Sequence, residues 1–419
     1  MTARFFRQSA AAFLLGGAFL VISGLCPVQA AEVPPAATGT HALIPNDTFW
    51  QKQWYMRQIQ APEAWAVSTG TRDVIVAVID GGVDISHQDL RGNIWTNPGE
   101  IAGDGIDNDQ DGFVDDVHGW NFVTNSPDVR PVYAETQSEE AWSHGTLVAS
   151  LIGANGNNGI GIAGMAWNVR IMPLVVLDAD GTGASEDVVQ AIRYATNHGA
   201  KVINLSLAGY DYDDRMEEII QKAAAAGVVI VAATGNDDVA KAGMDLDEIP
   251  VYPACIKGDT DLVIGVGGTD TLDQKSPYAN YGSRCTDIVA PAQELFAARP
   301  SYPHDRAPTS SVPGYLDGVT GTSLAAPLVS GVAALLRGVH PDWSPVQVRA
   351  RLMQTADNIE SGLADGQKGK MGAGRLNAGR ALAPDAPWLK PLAIATVKTP
   401  VKKTAAPLPP RPLSGKRNK

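Results

Sequence analysis

Four polar residues sit where apolar segments end, and together they supply the groups that acyl transfer requires. Asp80 lies in VIVAVIDGGVD, His144 in SHGTLVAS, Asn236 in VIVAATGN and Ser323 in GTSLAAP. A serine hydroxyl is a poor nucleophile at neutral pH, so a base must take its proton. A histidine base needs a carboxylate to fix its tautomer, and the developing oxyanion needs hydrogen-bond donors. Ser323 is flanked by Gly321, Thr322, Ala325 and Ala326, small neighbours that let a substrate backbone approach. At a helix N-terminus it gains free N–H groups and the positive end of the helix dipole. His144 is expected to start an apolar helix running through Leu147, Val148, Leu151 and Ile152. Asp80 ends an apolar strand, where a buried carboxylate is costly without a charged or donating partner. Asn236 follows Thr234-Gly235 at a strand end, and its amide can donate to an oxyanion. Each residue alone has an ordinary explanation: a capping serine, a surface histidine, a turn aspartate, a Gly-Asn turn. The set, with each member in the context its role needs, points to nucleophilic hydrolysis.

The elements that must hold these groups alternate. Strands are expected at Asp73–Ile79, Val169–Leu177, Lys201–Leu207, Val228–Ala233, Leu262–Val266 and Ile288–Val289. Helices are expected at Ala184–His198, Asp214–Ala226, Ser323–Leu336 and Ser344–Thr355, the last opened by Ser344 with Pro345 at the first helical position. Such alternation predicts a three-layer α/β fold, a mostly parallel central sheet with helices on both faces. Sites in such sheets collect beyond the carboxyl ends of the strands, where Asp80 and Asn236 lie. GVGGTD at Gly265–Asp270 lacks the lysine of a phosphate loop and reads as strand and turn.

The first thirty residues read as a secretory signal. Arg4 and Arg7 precede an apolar run from Ala10 to Leu25, and Val28-Gln29-Ala30 offers a cleavage site. The run is too short to argue for a membrane span, so no transmembrane segment is expected after removal. The expected domains are the signal 1–30, a short extension 31–48, a catalytic body 49–382 and a basic Pro/Lys-rich tail 383–419 expected to be disordered. The expected location is secreted or periplasmic. After signal removal two cysteines remain, Cys255 and Cys285; in an exported protein they are a disulfide candidate, the alternative being two buried thiols. Net charge is −12, and setting aside the +2 of the signal and the +7 of Pro384–Lys419 leaves the body near −21. An acidic body argues against a nucleic-acid partner. A second reading of the tail, with Lys402, Lys403, Arg411 and Lys416, is a weak tether to an anionic cell surface.

The loop from Asp107 to Gly112 (DNDQDG) places carboxylates at alternate positions with glycine sixth, as an EF-hand loop begins. Asp107, Asp109, Asp111 and Asp115 are its candidate Ca²⁺ ligands; His118 stands where a final glutamate is usual.

In these motifs and in the order Asp, His, Ser, the chain resembles the subtilisin-like serine proteases (peptidase family S8) from about Gln53 to Ala381. The resemblance implies Asp80 as orienter, His144 as general base and acid, Ser323 as nucleophile and Asn236 as oxyanion donor beside the Ser323 N–H. It implies that Ser206-Leu207-Ala208 and Gly181-Thr182-Gly183 pair with a peptide lying between them as an added strand. Ala233, Thr234, Gly235 and Val251 would line the pocket for the residue before the cut; none is charged, so an uncharged side chain is expected there. Asp89 and Asn158 match the family's main calcium site, with carbonyls from Gly156, Ile160 and Ile162. Departures are Gly81 for Ser or Thr, Leu147 for His, Leu324 for Met and Ala208 for Gly. The stretch between signal and body, about twenty residues, is shorter than the family's folding propeptide, so folding without it is implied, with calcium compensating. The expected protein is a monomeric serine endopeptidase acting on proteins or peptides. The alternative is a non-catalytic scaffold of the same fold that binds peptides.

Overall fold

The computed structural model describes residues 42–133, 139–237, 242–258, 261–301 and 312–384, all within one compact unit, 40–419. The expected signal and the tail from 385 onward lie outside the described residues.

Strand β1 (Ile75–Asp80) is buried at every position and is an interior strand of a parallel sheet. Its partners are β2 (Trp120–Asn121), β3 (Arg170–Val175), β4 (Val202–Leu205), β5 (Val229–Ala233), β6 (Val263–Thr269) and β7 (Ile288–Pro291), in the order β2-β3-β1-β4-β5-β6-β7. Fully buried parallel strands are continuous runs of Val, Ile and Ala because both faces are covered. Side chains alternate between faces, as the pleat requires. Val76 and Val78 join one apolar core with α3 (Glu139–Gly153) and α6 (Thr322–Val339). Ile75, Ala77 and Ile79 join the other with α4 (Ser185–Asn197) and α5 (Asp214–Ala225). This is the three-layer α/β architecture that the alternation predicts. GVGGTD falls in β6 and the turn after it, as expected.

Helix α6 is the hub of the first core. Leu324, Leu328, Val332 and Leu335 are fully buried. It is the one helix among the described residues long and apolar enough to cross a membrane, yet 83% of that window is buried inside the protein. A helix apolar all round is what a core position demands. Helix α7 (Pro345–Thr355) opens on the expected cap: Ser344 accepts from Gln347 N, and the Gln347 side chain accepts from Ser344 N.

Strand β2 and several smaller features were not legible. Helices α1 (Trp54–Gln58) and α2 (Ala61–Trp65) are five residues each, and α8 (Ala378–Leu382) is equally short. Strands β8 (Leu295–Ala298) and β9 (Tyr315–Val319) form a separate antiparallel pair. The ordered body starts earlier than 49. Leu43 N donates to Pro62 O, and Asn46 accepts from Gly159 N and donates its own N–H to Asn157 Oδ1.

Cys255 and Cys285 are disulfide-bonded, across a sequence separation of 30. A bridge closing such a loop restricts the unfolded chain by about 3–4 kcal/mol. Replacing both cysteines by alanine should lower unfolding stability by up to about that amount, read as the shift of a denaturant midpoint; an unshifted midpoint refutes the assignment.

Candidate active site

Asp80 is the last residue of β1 and is 1% exposed. Its Oδ1 accepts from Gly81 N at 2.7 Å and from His144 Nδ1 at 2.9 Å, and Oδ2 lies 3.0 Å from the same nitrogen. A carboxylate there makes Nδ1 the donor, which leaves Nε2 as the ring nitrogen with a free lone pair. His144 does not start its helix. Helix α3 begins at Glu139, one turn and more earlier, because Glu139-Glu140-Ala141 are themselves good helix formers ahead of the apolar stripe. The close approach of α3 to the end of β1 depends on Gly145. A Cβ there would stand 2.3 Å from Gly82 O and 3.1 Å from Asp80 Oδ1.

Ser323 is the second residue of α6, so its N–H is among those that the helix leaves unpaired. Asn236 Oδ1 accepts from Thr322 N at 3.0 Å, which commits the amide oxygen and leaves its NH₂ to face the cleft. A Cβ on Gly321 would lie 3.1 Å from Ser323 Oγ, 3.3 Å from Asn236 Nδ2 and 3.9 Å from Ser323 N. The missing side chain therefore opens one small space onto which the hydroxyl, the amide and the backbone donor all face. His144, Asn236 and Ser323 line a common cleft of about 250 Å³ with Ser206, Leu207, Ala208, Ala233, Gly235 and Val251.

Ser323 is held from behind. Pro327 stands four residues after Ser323 inside α6 and has no N–H, so it cannot make the helical bond to the Ser323 carbonyl. Ser206 Oγ supplies the missing donor at 2.7 Å. Ser206 is in turn fixed by Asn204 Nδ2 at 2.8 Å, and Asn204 Oδ1 accepts from Ser330 Oγ at 2.8 Å. Asn204 and Ser330 are fully buried. This relay ties the end of β4 to the first turn of α6.

A second, longer cleft of about 510 Å³ runs between Gly181-Thr182-Gly183 and Ser206-Leu207-Ala208, with Leu177, Val188, Met216 and Tyr252 along it. Of the expected pocket residues, Thr234 is misplaced. It is fully buried behind the wall, its hydroxyl 3.2 Å from both Val266 O and Asn280 O. Gly209, Tyr210 and Asn280 line the cleft instead, and among the described residues none that lines it carries a fixed charge. The sequence held no local signal for Asn280.

The acidic residues fall into two groups. Asp89 is buried; its Oδ2 accepts from Ile162 N and Tyr315 Oη, and its Oδ1 has no hydrogen-bond partner. Asp47, not among the expected ligands, is near enough for its charge to raise the Asp89 carboxyl. Its Oδ2 accepts from Asn157 N and its Oδ1 is likewise buried without a partner. Burial raises both carboxyls, Asp89 to about 6. Asn158 lies in the same loop as Gly156, Ile160 and Ile162, and its Oδ1 accepts from Ile160 N at 2.7 Å. Two buried acids with orphaned oxygens fit a hard cation. In the other group Asp107 accepts from the N–H of Asp111 and Gly112, as an EF-hand first position does. Asp115 instead turns outward to cap the N–H groups of Gly103, Asp104 and Gly105. The side chains that approach one another are Asp109 with Asp111 and His198, and Asp109 with Glu100 and Asp116. His118, at the expected final position, bonds the Trp95 carbonyl.

Comparison with known proteins settles the relationship. Residues 71–374 match the model of the Subtilase family. The chain belongs to the subtilase family. As a subtilase it is a serine-type endopeptidase. It is 33% identical over 330 residues to thermitase of Thermoactinomyces vulgaris, covering 78% of this chain and 97% of that one. It is 33% identical over 319 residues to a thermophilic serine proteinase of Bacillus sp. (strain AK1), covering 76% of this chain and 65% of the relative. A solved protease from Pseudoalteromonas arctica PAMC 21717 superposes with a TM-score of 0.63 at 27% identity, over 81% of this chain and 98% of that one.

The Pro327–Ser206 relation is testable. Ser206→Ala leaves the Ser323 carbonyl without a donor and should cost about 1–3 kcal/mol. Adding Pro327→Ala restores the helical N–H and should recover part of that loss. Thermal melting of the single and double variants checks it; a double variant less stable than Ser206→Ala refutes the relay.

Proposed function

We propose that this subtilase is an exported endopeptidase that cleaves through a Ser323 acyl-enzyme. His144 Nε2 takes the Ser323 proton as the hydroxyl attacks the scissile carbonyl, and later returns it to the leaving amine. Asp80 holds the imidazole in the donating tautomer and stabilises the imidazolium. Asn236 Nδ2 and the Ser323 N–H stabilise the oxyanion. The observation that carries this reading is the shared space beside Gly321, where hydroxyl and amide lie within 3.1 and 3.3 Å of one point. The peptide lies as a strand between 181–183 and 206–208, and an uncharged side chain enters the pocket of Ala233, Gly235 and Val251. The basic and apolar pattern of the first thirty residues and the disulfide support export.

Labelling by a fluorophosphonate should occur in the native chain and vanish in Ser323→Ala; persistence of the label refutes the nucleophile. Asn236→Ala should lower kcat by about 10²–10³ with little change in KM, the usual loss for one oxyanion donor. An unchanged kcat removes Asn236 from the mechanism.

We also propose Ca²⁺ on Asp47 and Asp89 with Asn158 and carbonyls of the Gly156–Ile162 loop, and a second, more exposed ion on the 100–116 loop through Asp109. The ions' role is structural: they neutralise buried acids and brace loops that flank the sheet. Chelation should lower the melting temperature, and Asp89→Asn should shrink that difference. A melting curve indifferent to chelator and to added Ca²⁺ overturns the assignment.

A further inference from the structure

Lys275 is a buried cation that neither the triad nor the metal sites use. It is 8% exposed. Among the described residues no carboxylate pairs with it. Its Nζ instead donates to four backbone carbonyls: Ala242 at 2.9 Å, Ser276 at 2.8 Å, Pro277 at 3.2 Å and Ala279 at 3.0 Å. The Tyr281 ring lies 5.4 Å away. Removing an ammonium from water is costly, and here burial lowers its pKa to about 8. A group retained at that cost is expected to hold something in place.

What it holds is the back of the oxyanion segment. Three of its carbonyls belong to the 276–279 turn and the fourth to the segment that crosses it. That turn is strapped residue by residue to 234–237. Ala279 forms a β-bridge with Asn236, Asn280 N donates to Gly235 O at 3.0 Å, and Asp237 N donates to Tyr278 O at 2.9 Å. Asn280 Nδ2 donates to Thr234 O at 3.1 Å, while its Oδ1 accepts from Met244 N at 2.8 Å, on the crossing segment. Packing is tight enough to leave no slack: a Cβ on Gly243 would stand 2.0 Å from Ala279 O and 2.9 Å from Lys275 Nζ.

We infer that Lys275 is a positioning residue for the oxyanion donor, gathering four converging carbonyl dipoles so that the Thr234–Asp237 backbone, and with it the Asn236 amide, keeps one position. Four carbonyl oxygens crowded together repel one another, and a central ammonium with three donors reverses that repulsion. A small error in donor placement weakens transition-state binding far more than ground-state binding, because the oxyanion exists only in the former. The inference rests on the assignment of Asn236 made under Proposed function.

The experiment compares Lys275→Met, Lys275→Arg and the double variant Lys275→Met/Asn236→Ala with the native chain on a peptide anilide. Rates are taken per fluorophosphonate-titrated Ser323, well below each variant's melting temperature. Lys275→Met should lower kcat about tenfold or more with KM within about twofold, and weaken a peptide aldehyde inhibitor in parallel. Lys275→Arg, whose five donors can span the same carbonyls, should recover most of kcat. In the Asn236→Ala background Lys275→Met should add little, since the donor it positions is gone. A purely structural lysine would lower the melting temperature and leave kcat per titrated serine unchanged, or give additive losses in the double variant; either result overturns the inference while leaving the protease reading intact. If Lys275→Met does not fold, Lys275→Gln, which keeps two donors, carries the same comparisons.

Discussion

A carboxylate with almost no water and no fixed cation sets the terms for this protein. Asp80 is 1% exposed, and among the described residues its partners are one backbone N–H and one imidazole. Buried acids need donors, so the histidine cannot be moved without leaving an orphaned charge. That requirement brings α3 against the end of β1. It calls for a glycine at 145, where a side chain would strike the Gly82 carbonyl, and it fixes the tautomer on which the chemistry depends. The other site elements are arranged to meet this pair: β4 and β5 end beside it, and α6 starts beside it.

The sequence was clear where burial is periodic or continuous. Six of the seven sheet strands and the four longer helices on which expectations were placed lie within a few residues of those expectations, because fully buried parallel strands leave long runs of Val, Ile and Ala. It was silent where an element is short or a contact is distant. The β8–β9 pair includes YLDGV, two of whose five residues are exposed, so no clean alternation marks it. His144 was read as a helix start because the apolar stripe begins just beyond it; polar residues ahead of the stripe carried the helix further.

The candidate site divides in the same way. Its four chemical groups announce themselves, since each sits at the end of an apolar segment beside small residues. What supports them does not. Ser206 reaches Ser323 across 117 residues, and Lys275 reaches Ala242 across 33. Side chains that bond carbonyls impose no spacing on the sequence, so neither relation has a local signature. Asp47 escaped for a related reason: it follows a Pro- and Ala-rich stretch, and only the fold shows that it accepts from Asn157 N in the loop that also holds Asp89.

Helix α6 joins two properties that many proteins keep apart. Its first turn carries Ser323, the proposed nucleophile, and the rest of it is the centre of the larger core. No partial opening can free Ser323 while the interior remains shut. Hydrogen-bonded amide protons beyond its first turn should therefore exchange only in whole-molecule unfolding events. The lifetime of the enzyme's activity under heat is then set by the rate of a single global transition rather than by fraying at a loop-borne site.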